Sequence, residues 1–184
     1  MPETARVCPV ERAGILDNRI RRWLQNPQKI LKPFITEGMT VLDVGCGPGL
    51  FSIEMAALVG ASGKVIAADL QEGMLQRLES KIQGKEIESR IKLHQCQEDK
   101  IGVSENVDFA LAFYMLHEVA DQEEFLKEIK SILKPAGRIF IVEPKFHVSK
   151  KAMQITISRA KEIGLELVEK PEIFFSRSVI LKKS

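Results

Sequence analysis

Along most of this chain, apolar stretches of strand length alternate with stretches whose apolar residues recur at helical spacing. Met39–Val44 reads as a strand and Leu50–Val59 as a helix; Lys64–Ala68 is strand-like, and Met74, Leu75, Leu78 and Ile82 mark one face of the helix after it. Ile91–Gln95 is a third predicted strand. Val107–Phe113 is a fourth, nearly all apolar as a strand buried on both faces should be. Asp121, with Glu124 three residues on, starts a helix whose inner face is Phe125, Ile129, Ile132 and Leu133. Pro135–Gly137 is expected to end that helix, and Arg138–Val142 to be the fifth strand. Ser149–Ile163 is a helix closed by Gly164, and Leu165–Glu169 and Ser178–Leu181 are the final strands, with a short connection that permits an antiparallel pair. Such repeated alternation predicts an α/β, doubly wound sheet with ligands at the carboxyl ends of its strands.

Ahead of this pattern, Ile20, Trp23, Leu24, Ile30, Leu31 and Phe34 recur with Pro27 breaking the run, which predicts two short amphipathic helices. The expected organisation is one domain over 1–184: a helical lid over 1–37, with Trp23 and Phe34 supplying apolar surface, and a core over 38–184. Arg19, Arg21 and Arg22 read as a solvated helix face or as a contact for an anionic substrate.

Composition narrows the class without naming a function. The 184 residues are 45% hydrophobic and 28% charged, with a formal net charge of +2, so no general attraction to nucleic acid or anionic lipid is expected. No apolar run reaches membrane-spanning length, and the opening MPETARVCPVERAG is not a secretory signal. Cys8, Cys46 and Cys96 form no CxxC pair. A reduced, cytoplasmic protein without membrane contact is the expectation.

The chemistry concentrates in "VLDVGCGPGLFSIEMA", where an apolar strand runs into a glycine cluster and then a helix. A dinucleotide turn needs a third glycine for close helix–strand packing, yet Leu50 stands at that position. Asp43 precedes the turn and Asp69 ends the next strand. A carboxylate beside the turn repels a pyrophosphate and suits the ammonium group of a methionine moiety. The glycines let the backbone pass close beneath a ligand.

VLDVGCGPG, followed by Asp69, "HQCQED" and "LKPAGRIFIVEP", resembles the class I S-adenosylmethionine-dependent methyltransferase family over roughly residues 38–184. The resemblance implies a seven-stranded, mostly parallel sheet with an antiparallel last strand. S-adenosylmethionine is the implied cofactor, leaving as S-adenosylhomocysteine. It also implies that Gly45, Cys46, Gly47 and Gly49 line that cofactor, that Asp43 orients its amino end and Asp69 its ribose, and that Leu70 packs on the adenine. Cys96 and Gln97 fall where many members place an acid–small-residue pair, and a thiol is a poor substitute for the acid. Phe113 would lie beneath the methyl-transfer position.

Acceptor-side candidates come from two strand ends. "FYMLHEV" supplies Tyr114, His117 and Glu118; "VEPKFHV" supplies Glu143, Lys145 and His147. His117 is the preferred general base, since imidazole titrates near neutrality, with Glu118 or Glu143 as its partner and Tyr114 as a positioning group. His147 is the alternative base. A metal held by His117, His147, Glu118 and Glu143 lacks a recognised ligand spacing, so none is expected. The absence of a separate nucleic-acid module, and of an NPPY-type stretch after the fourth strand, favours a small-molecule acceptor over nucleic acid. A non-catalytic S-adenosylmethionine-binding regulatory module, a nicotinamide oxidoreductase and a protein methyltransferase are the alternatives.

Overall fold

The computed structural model describes residues 25–184. Trp23, the Arg19–Arg22 cluster, Cys8 and the first expected helix lie outside the described residues.

Seven strands form one sheet: β1 (Thr40–Val44), β2 (Lys64–Asp69), β3 (Ile91–Gln95), β4 (Val107–Phe113), β5 (Leu133–Pro144), β6 (Leu165–Glu169) and β7 (Ser176–Lys183). Their spatial order is β3-β2-β1-β4-β5-β7-β6. The first five run parallel, and β7 lies antiparallel to both β5 and β6. The chain builds outward from β1 in one direction and from β4 in the other. In open α/β sheets such a reversal marks where ligands bind, outside the carboxyl ends of the two central strands.

Helices α1 (Pro27–Leu31), α2 (Leu50–Leu58), α3 (Glu72–Ile82), α4 (Gln122–Ile132) and α5 (Lys150–Glu162) cover the two faces. One face buries Val41, Val65, Phe109, Leu111 and Phe140 with Leu31, Met55 and Leu78. The other buries Leu42, Ile66, Ala110, Ile139 and Ile141 with Leu126, Ile129 and Ile157. Strand β4 contributes to both cores, which is why its sequence is an unbroken apolar run. Among the described residues, no helix is long and apolar enough to cross a membrane.

Two local expectations are corrected, both at the start of β5. Leu133 is not the last residue of a helix face but the start of β5: its ψ is 131°, and it pairs with Val107. The Pro135–Gly137 turn then bulges out inside the strand, with Ala136 at φ 62°, before pairing resumes between Arg138 and Phe109. Pro27 opens α1, where a missing N–H costs nothing, and the Asn26 side chain accepts from the Lys29 amide at 3.1 Å. Phe34 is partly buried. Its ring stacks on Phe109 (centroids 6.2 Å apart) and meets Phe140 edge-on (5.2 Å), so it packs on the sheet.

Candidate active site

The turn after β1 is held open by its glycines for different reasons. Gly45, Gly47 and Gly49 have φ values of +67°, +53° and +85°, which L side chains rarely adopt. The amides of Gly45 and Cys46 both donate to the Ala68 carbonyl, at 2.8 and 3.0 Å, lashing the turn to β2. A Cβ on Gly49 would lie 2.2 Å from Leu78 Cδ1, and one on Gly45 would lie 2.9 Å from Met115 Cβ. A Cβ on Gly47 would meet nothing within 4 Å. Two glycines thus permit packing, while Gly47 exposes backbone to open space where a ligand can approach. Lys81 Nζ donates to the Pro48 carbonyl at 2.7 Å and braces the same turn.

Two carboxyls are built into this turn. Asp43 is 2% exposed, and Ser52 Oγ donates to it at 2.5 Å. Burial raises its pKa to about 7, and Asp69 pushes in the same direction. Asp69 accepts from the Gly47 amide at 2.8 Å and the Gln71 amide at 2.9 Å; burial raises its pKa too, against those hydrogen bonds. The interactions that lower these pKa values are hydrogen bonds from Ser52 and from backbone amides. Ser52 was not foreseen, although it is the polar residue on the buried side of the apolar helix segment LFSIEMAAL.

A stability consequence follows from the raised Asp43 pKa. The folded state favours the protonated acid, so this group's contribution is present below about pH 4 and is lost as pH rises toward about 7. Asp43→Asn should therefore stabilise the protein at pH 8 by about 2 kcal/mol, or about 5 °C in Tm. It should weaken binding of a cationic ligand by about tenfold to a hundredfold. Thermal melts at pH 5 and pH 8, with ligand calorimetry alongside, check both; a variant less stable than wild type at pH 8 contradicts the first.

On the far side of Asp69, the Cys96 amide donates to the Asp69 carbonyl at 2.9 Å. Leu70 is half-buried, and its carbonyl accepts from Gln95 Nε2 at 3.4 Å. Gln97 is exposed, with its amide donating to Lys100 at 2.9 Å. Burial pushes the Cys96 thiol up to about 12, so it stays neutral and cannot replace a carboxylate acceptor. The buried Cys46 thiol is raised as well and donates to the Gly47 carbonyl at 3.5 Å. Both sulfurs behave as small apolar groups.

The acceptor-side candidates divide between the two faces of the sheet. Glu143, 2% exposed at the end of β5, accepts from the Leu116 amide at 2.8 Å and bonds His117 Nδ1. His117 lies in a single turn after β4, over Leu116–Glu118. Its ring stacks on His147 at 5.0 Å between centroids. The Glu143 hydrogen bond raises the His117 pKa, partly opposed by burial. Glu143, rather than Glu118, is thus the bonded partner. Glu118 is half-buried, its own pKa raised by burial, and it acts on His117 only through space.

Tyr114 turns the other way and packs against the opposite core. Its backbone sits at φ 60°, its amide donates to Val142 at 2.8 Å, and its hydroxyl lies 2.5 Å from both Ser176 Oγ and Gln25 Nε2. Phe113 lies between Phe51 and Tyr114, with ring centroids 4.3 and 4.5 Å away. Neither Gln25 nor Ser176 carried a recognisable signal in the sequence. They are 89 and 62 residues from Tyr114 and meet it only through the fold.

Comparison with known proteins agrees with this architecture. A family described as "Methyltransferase domain" matches residues 35–171. A demethylmenaquinone methyltransferase of Lactobacillus johnsonii is 34% identical over 122 residues, covering 66% of this chain and 49% of that protein. A ubiquinone/menaquinone biosynthesis C-methyltransferase of Idiomarina loihiensis is 29% identical with the same coverage. The chain therefore spans about half the length of these curated relatives. The crystal structure of a SAM-dependent methyltransferase from Aquifex aeolicus superposes with a TM-score of 0.86 at 27% identity, over 97% of this chain and 100% of that one. The chain belongs to the class I S-adenosylmethionine-dependent methyltransferase family.

Proposed function

We propose that this chain transfers a methyl group from S-adenosylmethionine to a small aromatic acceptor of the quinol class. The observation that carries the reading is the open Gly47 backbone flanked by Asp43 and Asp69, two buried carboxyls with raised pKa values. The residues fit the cofactor: the acids suit its ammonium and sulfonium charge, Asp69 its ribose hydroxyls, and Leu70 the adenine. The quinol class is supported by the names of the two relatives, at the identities given above.

Bound there, S-adenosylmethionine supplies an electrophilic methyl group and leaves as S-adenosylhomocysteine. The chain's own task is to align the acceptor, keep water out and remove a proton. With Nδ1 of His117 bonded to Glu143, Nε2 is the nitrogen that takes the proton the acceptor gives up in exchange for the methyl group. Glu143 orients the ring and stabilises the imidazolium that results. Tyr114, its hydroxyl fixed by Gln25 and Ser176, is a positioning residue at the end of β4, and His147 backs the His117 ring by stacking.

Competitive calorimetry with S-adenosylhomocysteine and NAD tests the cofactor assignment; binding of NAD alone overturns it. Incubation with methyl-labelled S-adenosylmethionine and a panel of reduced naphthoquinones and benzoquinones tests the acceptor. Label in a quinol product is expected. Label appearing in added protein, or tight cofactor binding with no turnover of the panel or of a metabolite extract, contradicts the quinol reading.

A further inference from the structure

We propose that the rim of the acceptor side docks on an anionic lipid bilayer. This deepens the reading above and rests on it for the placement of the acceptor site at that rim. Two loops at the carboxyl end of β5 expose three phenyl rings: Phe146 is 76% exposed, Phe174 55% and Phe175 61%. The loops are tied to each other, because the Lys145 amide donates to the Phe175 carbonyl at 3.0 Å. The second is tightened by the Ser176 amide donating to Ile173 at 3.0 Å. Phe174 and Phe175 meet edge-on at 4.8 Å. Phe175 is held outward at φ 51°, a backbone region disfavoured for a bulky side chain.

The patch is joined to the proposed chemistry. Phe146 contacts His147 at 4.7 Å, and His147 stacks on His117. A surface that seats these rings therefore lies next to the proposed general base.

Charge selects the partner. Lys145, Lys150, Lys151, Lys170 and Arg177 stand on these segments against Glu169 and Glu172, a local charge of +3. The whole-chain value of +2 conceals this concentration. Scattered single apolar residues on a surface need no partner; three rings on two bonded loop tips among lysines form an interfacial pattern. Such rings enter the headgroup boundary shallowly while lysine stems keep their ammonium groups among the phosphates. A surface contact of this kind needs no spanning helix.

Cosedimentation of the full chain with large unilamellar vesicles tests the proposal, using phosphatidylcholine alone or mixed equally with phosphatidylglycerol. The wild type should partition onto the anionic vesicles, less so at high salt. F146S/F174S/F175S should lose about tenfold or more in partitioning per ring that enters the bilayer. K145S/K150S/K151S should lose about fivefold per lysine on anionic vesicles only. Affinity for S-adenosylhomocysteine, measured by calorimetry without vesicles, should be unchanged in both variants; F146S alone serves if the triple variant fails that check. The proposal is overturned if the wild type stays in the supernatant with anionic vesicles. It is equally overturned if the phenylalanine variant sediments like wild type, or if light scattering shows those rings joining two copies of the chain instead. Because cofactor affinity is read separately, failure of the docking and failure of the methyltransferase reading are distinguishable.

Discussion

His117→Ala should lower kcat by about a hundredfold to ten-thousandfold while leaving affinity for S-adenosylhomocysteine unchanged. The expectation rests on the Glu143 bond to Nδ1, which orients the ring toward the acceptor through its other nitrogen. A pH profile separates this role from a structural one. Glu143 raises the His117 pKa, and only the neutral imidazole can accept a proton. Activity should therefore climb with pH and level off above the ordinary histidine range. Glu143→Gln removes the charge that holds the proton, so the acid limb should move to lower pH. Its plateau should also fall, because the imidazolium loses its stabiliser. Stability shows the opposite dependence: the pair's contribution is full below the ordinary histidine pKa and is lost as pH rises through the raised one. Single-turnover transfer of labelled methyl measures the rates. An H117A enzyme with the wild-type rate and profile would remove His117 from the chemistry.

Gly49→Ala should destabilise the fold by about 2 to 5 kcal/mol, combining a clash in a packed core with a left-handed backbone for alanine. The added methyl would lie 2.2 Å from Leu78 Cδ1 and 3.0 Å from its Cγ, and Leu78 is fully buried, with little room to retreat. Gly47→Ala supplies the contrast. Its backbone is also left-handed, at +53°, but the methyl would point into open space, so the cost should be about 1 to 2 kcal/mol. That methyl should nevertheless obstruct a cofactor lying against the turn. Urea denaturation together with calorimetry should show G49A losing mainly stability and G47A losing mainly cofactor affinity. Should G47A bind S-adenosylhomocysteine as tightly as wild type, the cofactor does not pass over that glycine.

How much of this was legible follows the range of the interaction concerned. The apolar run of β4 marks a central strand because burial on both faces leaves few positions for polar side chains. The acids Asp43 and Asp69 were legible because each interrupts an apolar strand at its carboxyl end, Asp43 one residue before the last of β1 and Asp69 as the last of β2. The passage from α4 into β5 was not, since Leu133 changes from helical to extended backbone with no breaker before it, and the Pro135–Gly137 signal belongs to a bulge two residues later. The choice between Glu118 and Glu143 was equally out of reach. Glu118 is next to His117 in the chain, yet the bonded carboxylate is 26 residues away.

The sequence by itself determined the alternation of strands and helices, the turn that needs glycine and the acids that flank it. Burial periodicity and backbone conformation are local properties written residue by residue. Only the tertiary structure decided which groups meet: Ser52 with Asp43, Glu143 with His117, Gln25 and Ser176 with Tyr114, and the Lys145 amide with the Phe175 carbonyl. Those pairings arise from the order in which strands join the sheet, which brings together residues far apart along the chain. The same joining buries the carboxyls of Asp43 and Asp69 and raises their pKa values.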